Sequence, residues 1–204
     1  GLGDVYKRQL HDRLVNVLSA SAEIQYALDE EDTEEIKAIA QELSHPEIIA
    51  ERVESLKKAL PEKPLENVEN MLLYLERLDF IGDILPQQIK DASRFVKKLS
   101  APLKAQTSGE YEKLAVYFVY RYFLKAVRDF DLLSKIKAMI VFVFAAEIIN
   151  LSREQDAHAR FETVKELCKE IEYSGDNMDR IYDDSYLSDI FSDTSMLALL
   201  EWTL

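Results

Sequence analysis

The chain has 204 residues, a formal net charge of −13 and an apolar content of 48%. An apolar fraction of this size is typical of a globular protein and excludes intrinsic disorder. With only 5 glycines and 5 prolines, the chain has few tight turns, which favours an all-α fold over an all-β fold. The acidic charge, without a concentrated basic patch, argues against nucleic acids and anionic membranes as partners.

Cys168 is the single cysteine of the chain. One thiol cannot form an internal disulfide or assemble a cysteine-rich metal site, so a reducing, cytoplasmic setting is expected. The longest apolar stretch runs from Ala138 to Ala146. A membrane-spanning helix needs about 20 apolar residues, so no transmembrane segment is predicted, and no signal peptide is visible.

The first nine residues, GLGDVYKRQ, differ in character from the rest of the chain. The string from Asp4 to Gln9 resembles the translation of a transposon-end adapter used in sequencing libraries, and we expect residues 1–9 to be a non-native tail. An ordinary polar N-terminal tail is the alternative. On the first interpretation the chain is an N-terminally truncated piece of a longer protein.

Residues 10–100 form a predicted N-terminal helical subregion. Apolar residues at helical spacing predict five helices, over residues 10–28, 33–43, 46–60, 68–78 and 87–99. Thr33 is the expected N-cap of the second of these helices. Gly82 and Pro86 bracket a predicted loop, and residues 100–109 are the best candidate for a flexible connection.

Residues 101–204 form a predicted C-terminal helical subregion with an aromatic-rich core. An aromatic helix over residues 111–127 precedes a helix beginning at Asp131 that is apolar on nearly all sides, as a central buried helix would be. A helix over residues 153–171, a turn and cap at Ser174–Asn177 and two short helices follow. The predicted fold is therefore all-α, an irregular multi-helix bundle of about eight to ten helices around an apolar central helix.

One face of the predicted helix over residues 153–171 carries His158, Glu162 and Glu166 at i, i+4 and i+8. Carboxylates and imidazole at this spacing can bind a divalent metal in a helical bundle. No paired Glu-x-x-His motif accompanies them, and lysines and arginines are interspersed. We therefore interpret this face as solvated and salt-bridged, and Cys168 as a small packing residue.

The segment from Tyr117 to Asp131 is the densest in aromatic and charged residues. Helical spacing places Tyr117, Arg121, Lys125 and Arg128 along one stripe of an otherwise apolar helix. A buried cation needs an anionic partner, so we expect Arg121 to pair with Asp129 or Asp131. Such pairing would either lock two core helices together or form part of a ligand pocket. The candidate pocket residues are Tyr117, Tyr120, Arg121, Lys125, Asp129 and Asp131.

Two parts of the chain together resemble the C-terminal region of flagellin lysine N-methylases. The first is the aromatic Arg-containing helix followed by Lys125-Ala126, Asp129, Asp131-Leu132-Leu133 and Lys135. The second is the later element with Glu170-Ile171-Glu172, Ser174 and Asn177. The resemblance covers most of residues 10–200 and is specific from about residue 111 to 192.

The resemblance implies methyl transfer from S-adenosylmethionine to lysine side chains of flagellin. It also implies an iron–sulfur cluster held by an N-terminal group of cysteines that this chain lacks. On this interpretation the chain is an inactive C-terminal fragment, with flagellin and the missing N-terminal half of the same protein as partners. Its pocket residues would help to shape the acceptor-lysine or cofactor pocket. The alternative is a non-enzymatic all-α ligand-binding or scaffold module.

Overall fold

A computed structural model describes residues 2–43, 45–60, 64–99, 108–153 and 156–203 of the chain. The side chains of residues 1–9, which we predicted to be an adapter-derived tail, lie outside the described set. Residues 100–107 of the predicted connection also lie outside it. Within the described ranges the chain forms ten α-helices and no β-strand, which confirms the all-α prediction. The helices are α1 (Leu2–Asp29), α2 (Thr33–Glu42), α3 (Pro46–Lys58), α4 (Pro64–Leu75), α5 (Ile84–Val96), α6 (Ser108–Asp129), α7 (Leu133–Leu151), α8 (Ala157–Leu167), α9 (Gly175–Leu187) and α10 (Asp193–Thr203).

Helix α7 is the centre of the bundle. Every residue from Ser134 to Asn150 is buried, and the helix contacts α1, α5, α6, α8, α9 and α10. A helix that is apolar on all sides needs neighbours on all sides to remove its surface from water. The other helices are therefore arranged around α7.

The helices before and after residue 100 share one hydrophobic core. Leu18 and Leu72 from the first subregion and Phe142 and Leu197 from the second are all buried. Helix α1 contacts α6, α7 and α10, and α4 contacts α10. The two sequence subregions therefore pack together around α7.

Several helix ends differ from the sequence prediction, and three of them concern a specific predicted residue. Asp32, and not Thr33, is the N-cap of α2, because its carboxylate accepts two backbone hydrogen bonds from the first turn. Pro86 lies in the first turn of α5 and not in the preceding loop; a first-turn residue needs no intrahelical N–H bond, so proline is tolerated there. Helix α7 begins at Leu133, two residues after Asp131.

A glutamine from α1 holds the turn between α6 and α7. Phe130 in this turn has a φ of 54°, a left-handed conformation that bulky residues rarely adopt. Gln25 donates a hydrogen bond from Nε2 to the Phe130 carbonyl at 2.9 Å and accepts one at Oε1 from the Leu132 N–H at 2.8 Å. The turn is thus fixed by a distant helix, and it sets the position of α6 against the core.

Candidate functional site

The chain changes its helical winding directly after α8. The backbone N–H of Tyr173 donates to the Cys168 carbonyl at 2.9 Å, an i→i+5 hydrogen bond typical of a π-helix. This π-turn (Cys168–Glu172) contains two buried acidic residues, Glu170 and Glu172. Because π-turns are rare and are frequently found at functional sites, both carboxylates are candidates for a functional role.

Glu170 attaches the π-turn to the loop between α4 and α5. Its Oε2 accepts hydrogen bonds from the backbone N–H groups of Ile81 at 2.7 Å and Gly82 at 3.3 Å. A Cβ atom at Gly82 would lie 3.0 Å from Glu170 Oε1, so the close approach favours glycine. Asn177 donates to the carbonyls of Asp79 at 2.6 Å and Glu170 at 2.9 Å. The π-turn is therefore held rigidly from one side.

Glu172 faces α6 on the other side of the π-turn, and its side chain is completely buried at 0% exposure. Its Oε1 accepts hydrogen bonds from the hydroxyls of Tyr117 at 2.6 Å and Tyr122 at 2.8 Å, and lies 2.8 Å from Arg121 Nε. Its Oε2 accepts no hydrogen bond from a nitrogen or oxygen donor of the described residues. The Cys168 thiol is a further donor to this carboxylate. Oε1 is thus saturated, while Oε2 is buried without a nitrogen or oxygen donor.

Aromatic rings surround the cation that pairs with Glu172. The guanidinium carbon of Arg121 lies 6.0, 5.7 and 5.6 Å from the ring centroids of Tyr117, Tyr122 and Tyr173. These distances are in the range of cation–π attraction. The Arg121 side chain is 44% exposed. The site therefore combines a buried anion with a surface cation between tyrosine rings.

Three protonated groups neighbour the Glu172 carboxylate at neutral pH. Burial and the hydrogen bond and charge of the nearby Glu172 carboxylate together raise the pKa of the Cys168 thiol to about 12. Burial also raises the pKa of Tyr122 to about 12, with Arg121 opposing and Glu172 adding to the shift. Burial and Glu172 together raise the pKa of Tyr117. Cys168 is therefore a thiol and not a reactive thiolate, in line with its predicted packing role.

An apolar groove of about 530 Å³ between α6 and α8 leads to this site. Leu114, Phe161 and Val164 line its length, and Tyr117 and Cys168, which both neighbour Glu172, lie at one end. At the other end, Arg160 and Glu110 form an ion pair at 2.8 Å. Such a shape, with apolar walls and a buried carboxylate behind one end, fits a long aliphatic side chain that ends in a cation.

A family model described as the FliB lysine N-methylase C-terminal domain matches residues 6–199. The chain belongs to this family. The match includes α6, the groove and the π-turn, and it confirms the resemblance that the sequence motifs indicated. Comparisons with curated proteins and with solved structures return no match.

In this family member, the predicted pocket residues divide between two places. Tyr117 and Arg121 lie at the Glu172 site. Lys125 lies next to it, with Nζ 4.6 Å from the centroid of the Tyr122 ring. Tyr120 is 80% exposed and is not part of the hydrogen-bonded cluster. Asp129 and Asp131 belong to a separate cluster at the end of α6.

The predicted ion pair between Arg121 and Asp129 or Asp131 is wrong. Lys135 takes both carboxylates, with Nζ 2.9 Å from Asp129 Oδ2 and 3.4 Å from Asp131 Oδ2, and also donates to the Asp131 carbonyl at 2.6 Å. Asp131 and Lys135 are four residues apart, a spacing that brings their side chains together. Arg121 is more than two helical turns, about 12 Å, from Asp129 along α6, and it pairs with Glu172.

The sequence missed Glu172, Tyr122 and Tyr173 as site residues. Glu172 comes to α6 from a helix 50 residues after Tyr122, and no local spacing rule predicts such a contact. The sequence signal that could have indicated Glu172 was the second part of the family resemblance, which contains Glu170, Glu172, Ser174 and Asn177. Each of these residues makes a specific contact; Ser174, for example, caps α9 as predicted. The residues of this sequence element are therefore those that anchor the π-turn.

The face of α8 with His158, Glu162 and Glu166 is salt-bridged as the sequence indicated. Lys165 lies 2.9 Å from Glu162, and Lys169 lies 3.4 Å from Glu166. In the described part of the chain, no group of three or more His, Cys, Asp or Glu side chains could hold a metal ion. No helix in this part is long and apolar enough to span a bilayer.

The described residues do not fit the two cofactors that the family resemblance implies. An iron–sulfur cluster is held by about four cysteine or histidine ligands, whereas the chain has a single cysteine with a half-buried, protonated side chain. The accessible surface of the groove is almost entirely apolar and gives the adenosyl group of S-adenosylmethionine few hydrogen-bond partners.

Proposed function

We propose that the chain is the C-terminal domain of an enzyme that methylates lysine side chains of flagellin with S-adenosylmethionine as the methyl donor. Within that enzyme, its role is to hold the acceptor lysine. The observation that carries this proposal is the apolar groove whose end, formed by Tyr117 and Cys168, lies next to the buried Glu172 carboxylate. Family membership supports a lysine N-methylase, and the groove indicates which part of the work these residues perform.

The groove suits both ends of a lysine side chain. Lysine has a flexible four-carbon stem and a compact ammonium group with three donors. The stem would lie against Leu114 and Val164, so that its apolar surface leaves water. The ammonium would lie at the end of the groove formed by Tyr117 and Cys168, where the negative charge of the buried Glu172 carboxylate next to these two side chains attracts it.

The charge of the chain also suits a basic acceptor segment. With 38 acidic and 25 basic residues, the domain attracts a lysine-bearing surface over a distance of about one Debye length. Long-range attraction of this kind raises the rate of encounter more than it raises final affinity. We place the selectivity for lysine in the groove itself.

The methyl donor and the iron–sulfur cluster belong, on this proposal, to a part of the enzyme outside the described residues. The chain by itself is then inactive in methyl transfer but binds lysine. We expect the enzyme to act in the cytoplasm, because a chain with one protonated cysteine is suited to a reducing compartment.

The test is methyl transfer to flagellin by the complete enzyme that contains this domain. Glu172→Gln keeps the shape of the side chain and removes its charge, so we expect the KM for flagellin to rise at least about tenfold, or about 1.4 kcal/mol. Glu162→Gln is the matched control, because it neutralises an exposed carboxylate on α8 outside the groove. Unchanged kinetics in Glu172→Gln would refute the assignment of the groove to the acceptor lysine.

A second measurement uses the chain alone. A lysine peptide should bind it and perturb the NMR signals of Leu114 and Val164, and Leu114→Trp should block the groove and abolish the effect. If peptides in which lysine is replaced by norleucine bind equally well, the groove is a general apolar site. That result would favour the alternative of a ligand-binding module.

A further inference from the structure

We propose that the exposed side of α6 is a docking surface for an acidic protein segment that also carries aliphatic side chains. This inference goes beyond the proposed function and does not depend on it. We call this side the outer face of α6. It consists of Lys113, Val116, Tyr120, Arg121, Lys125 and Arg128, all of which are exposed.

Helical geometry places these residues on one side of α6. Successive residues turn by about 100°, so the six positions fall within about half of the helix circumference. Phe118 and Tyr122, on the opposite side, are buried in the hydrophobic core. At about 1.5 Å per residue the outer face is about 22 Å long. This length is sufficient to contact about four turns of a second helix.

The outer face is basic, although the chain as a whole is acidic. Residues 113–128 contain four lysines and arginines and no aspartate or glutamate, whereas the formal net charge of the chain is −13. Arg121 is paired with the buried Glu172. Among the residues that the structure describes, no carboxylate forms an ion pair with Lys113, Lys125 or Arg128. The charge of these three side chains is therefore available to a partner.

The carboxylates that flank the outer face do not neutralise it, because cations from other helices already bind them. Glu112, at one end, lies 2.9 Å from Nη1 of Arg13 on α1. Asp129, at the other end, lies 2.9 Å from Nζ of Lys135 on α7. The outer face therefore keeps its positive charge along its whole length.

Apolar and aromatic surface accompanies the charge. Val116 is 46% exposed and Tyr120 is 80% exposed. Tyr173, which follows the π-turn, is 66% exposed, and its ring centroid lies 5.6 Å from the guanidinium carbon of Arg121. Tyrosine and arginine are enriched among the residues that contribute most to protein–protein binding. The composition of the outer face is therefore typical of a protein interface.

Charge complementarity selects an acidic segment as the partner. Its carboxylates would form charge-assisted hydrogen bonds with Lys113, Lys125 and Arg128, and its aliphatic side chains would cover Val116 and Tyr120. A membrane or a nucleic acid extends beyond one helix and would meet the acidic remainder of the chain, which has 38 aspartates and glutamates. A single segment covers the basic face alone, and salt screens charges farther away than about 8 Å.

The direct test measures binding of a synthetic acidic peptide to the chain. The probe is a fluorescein-labelled peptide of about four helical turns, with glutamates and leucines at i, i+4 spacing. Fluorescence anisotropy follows its titration with the chain. We expect the double substitution Lys125→Gln and Arg128→Gln to weaken binding at least about tenfold. Both side chains are exposed, so circular dichroism should show an unchanged helix content in this variant.

A matched control removes the same charge elsewhere. The double substitution Lys97→Gln and Lys98→Gln neutralises two exposed lysines at the end of α5 and should change the affinity less than about twofold. A control variant that loses as much affinity as the α6 variant would show that only net charge matters and would overturn the proposal.

The apolar part of the outer face has its own test. Tyr120→Ala removes an exposed ring and should weaken peptide binding about fivefold, and the bound peptide should shift the NMR signals of Val116. Binding that is unchanged in Tyr120→Ala, or that is equally strong for a peptide with glutamine in place of glutamate, would contradict the predicted combination of apolar and charged contacts.

Other polyanions decide whether the partner is a protein. Phosphatidylserine vesicles and a single-stranded DNA oligonucleotide should not bind at a salt concentration at which the acidic peptide binds. If either binds more tightly than the peptide and loses its binding in the Lys125→Gln and Arg128→Gln variant, the proposal fails. The lysine groove is tested with lysine peptides and with Leu114→Trp, so each of the two proposals can fail without the other.

Discussion

The two charged clusters of α6 are built in opposite ways. At the Glu172 site the anion is completely buried and its cation Arg121 is 44% exposed. At the end of the helix the cation Lys135 is buried, at 3% exposure, and its anion Asp129 is 49% exposed. Water already stabilises the exposed charge in each cluster. The buried charge therefore dominates the energetics of each cluster.

The difference between the clusters lies in how well the buried group is satisfied. Lys135 has oxygen atoms of two carboxylates and a backbone carbonyl around its ammonium, which uses all three of its donors. In the Glu172 site, the nitrogen and oxygen donors all reach Oε1, and none reaches Oε2. The saturated Lys135 charge fixes the turn between α6 and α7, whereas the incompletely saturated Glu172 charge lies next to the groove and favours a cation there.

The largest effect on stability is expected at the Lys135 cluster. The double substitution Asp129→Asn and Asp131→Asn leaves a buried cation without an anionic partner, so we expect the free energy of unfolding to fall by about 3 kcal/mol. Adding Lys135→Met removes that cation and should recover roughly half of the loss. Urea unfolding followed by circular dichroism measures the free energy of unfolding of the unmodified chain, the double variant and the triple variant.

Arg121→Gln is the comparison for this double substitution. It also removes the exposed partner of a buried charge, but Glu172 keeps two tyrosine hydroxyls as donors, so we expect a loss of only about 1 kcal/mol. If Arg121→Gln destabilises the chain as much as the double substitution does, the distinction between a saturated and an incompletely saturated cluster is wrong.

The second effect concerns the reactivity of Cys168. With a pKa of about 12, raised by burial and by Glu172, its thiol should react with iodoacetamide at pH 8 at least about a hundred times more slowly than a free cysteine. Glu172→Gln removes the part of the shift that the carboxylate causes and should accelerate the reaction. Equal rates for the unmodified chain and free cysteine, measured by mass spectrometry, would contradict the description of the site.

Smaller effects are expected from the tyrosine hydroxyls. Tyr122→Phe removes a buried donor to Glu172 and should cost about 1–2 kcal/mol, and Tyr117→Phe, at a more exposed position, about 1 kcal/mol. Tyr120→Phe is the matched control on the same helix and should leave the urea midpoint unchanged, because Tyr120 is 80% exposed. A control that is as destabilised as Tyr122→Phe would show that the hydrogen bonds to Glu172 do not cause the loss.

The smallest effect is a dependence of stability on acid pH. Burial opposes ionisation of Asp131, but hydrogen bonds from Ser134 and Tyr186 and the charge of Lys135 outweigh it, so the pKa of Asp131 is below its ordinary value. A lowered folded-state pKa stabilises the chain fully above the unfolded value of about 3.9, and this stabilisation is lost as the pH falls through the folded value. Urea midpoints between pH 5 and pH 2 should therefore decline less steeply in Asp131→Asn.

The sequence predicted the fold to the extent that the fold depends on local patterns. Apolar spacing located the helices, and the all-round apolar composition between Ser134 and Asn150 identified the buried centre. Helix ends were less predictable, because a cap is decided by small differences between neighbours such as Asp32 and Thr33. Nothing in the local sequence indicates that Gln25 stabilises a turn about 100 residues later.

The site was predictable only on the α6 side. Spacing on one helix placed Tyr117 and Arg121 on a common stripe, and the structure brings both to Glu172. The partner of Arg121 was predicted wrongly because local spacing favoured the acidic residues nearest in sequence, whereas tertiary packing places α6 against the π-turn. A charged residue on a core helix can therefore be recognised from sequence, but its partner requires the structure.

The π-turn also limits how the length of the chain can vary. Deleting one residue between Leu167 and Tyr173 would restore regular α-helical hydrogen bonding and rotate the residues on one side by about 100° relative to the other. Glu172 and the loop-binding Glu170 could then no longer face α6 and the α4–α5 loop together. Homologues with the same function should therefore accept substitutions in this segment far more readily than insertions or deletions, so that the number of residues here is itself a functional trait.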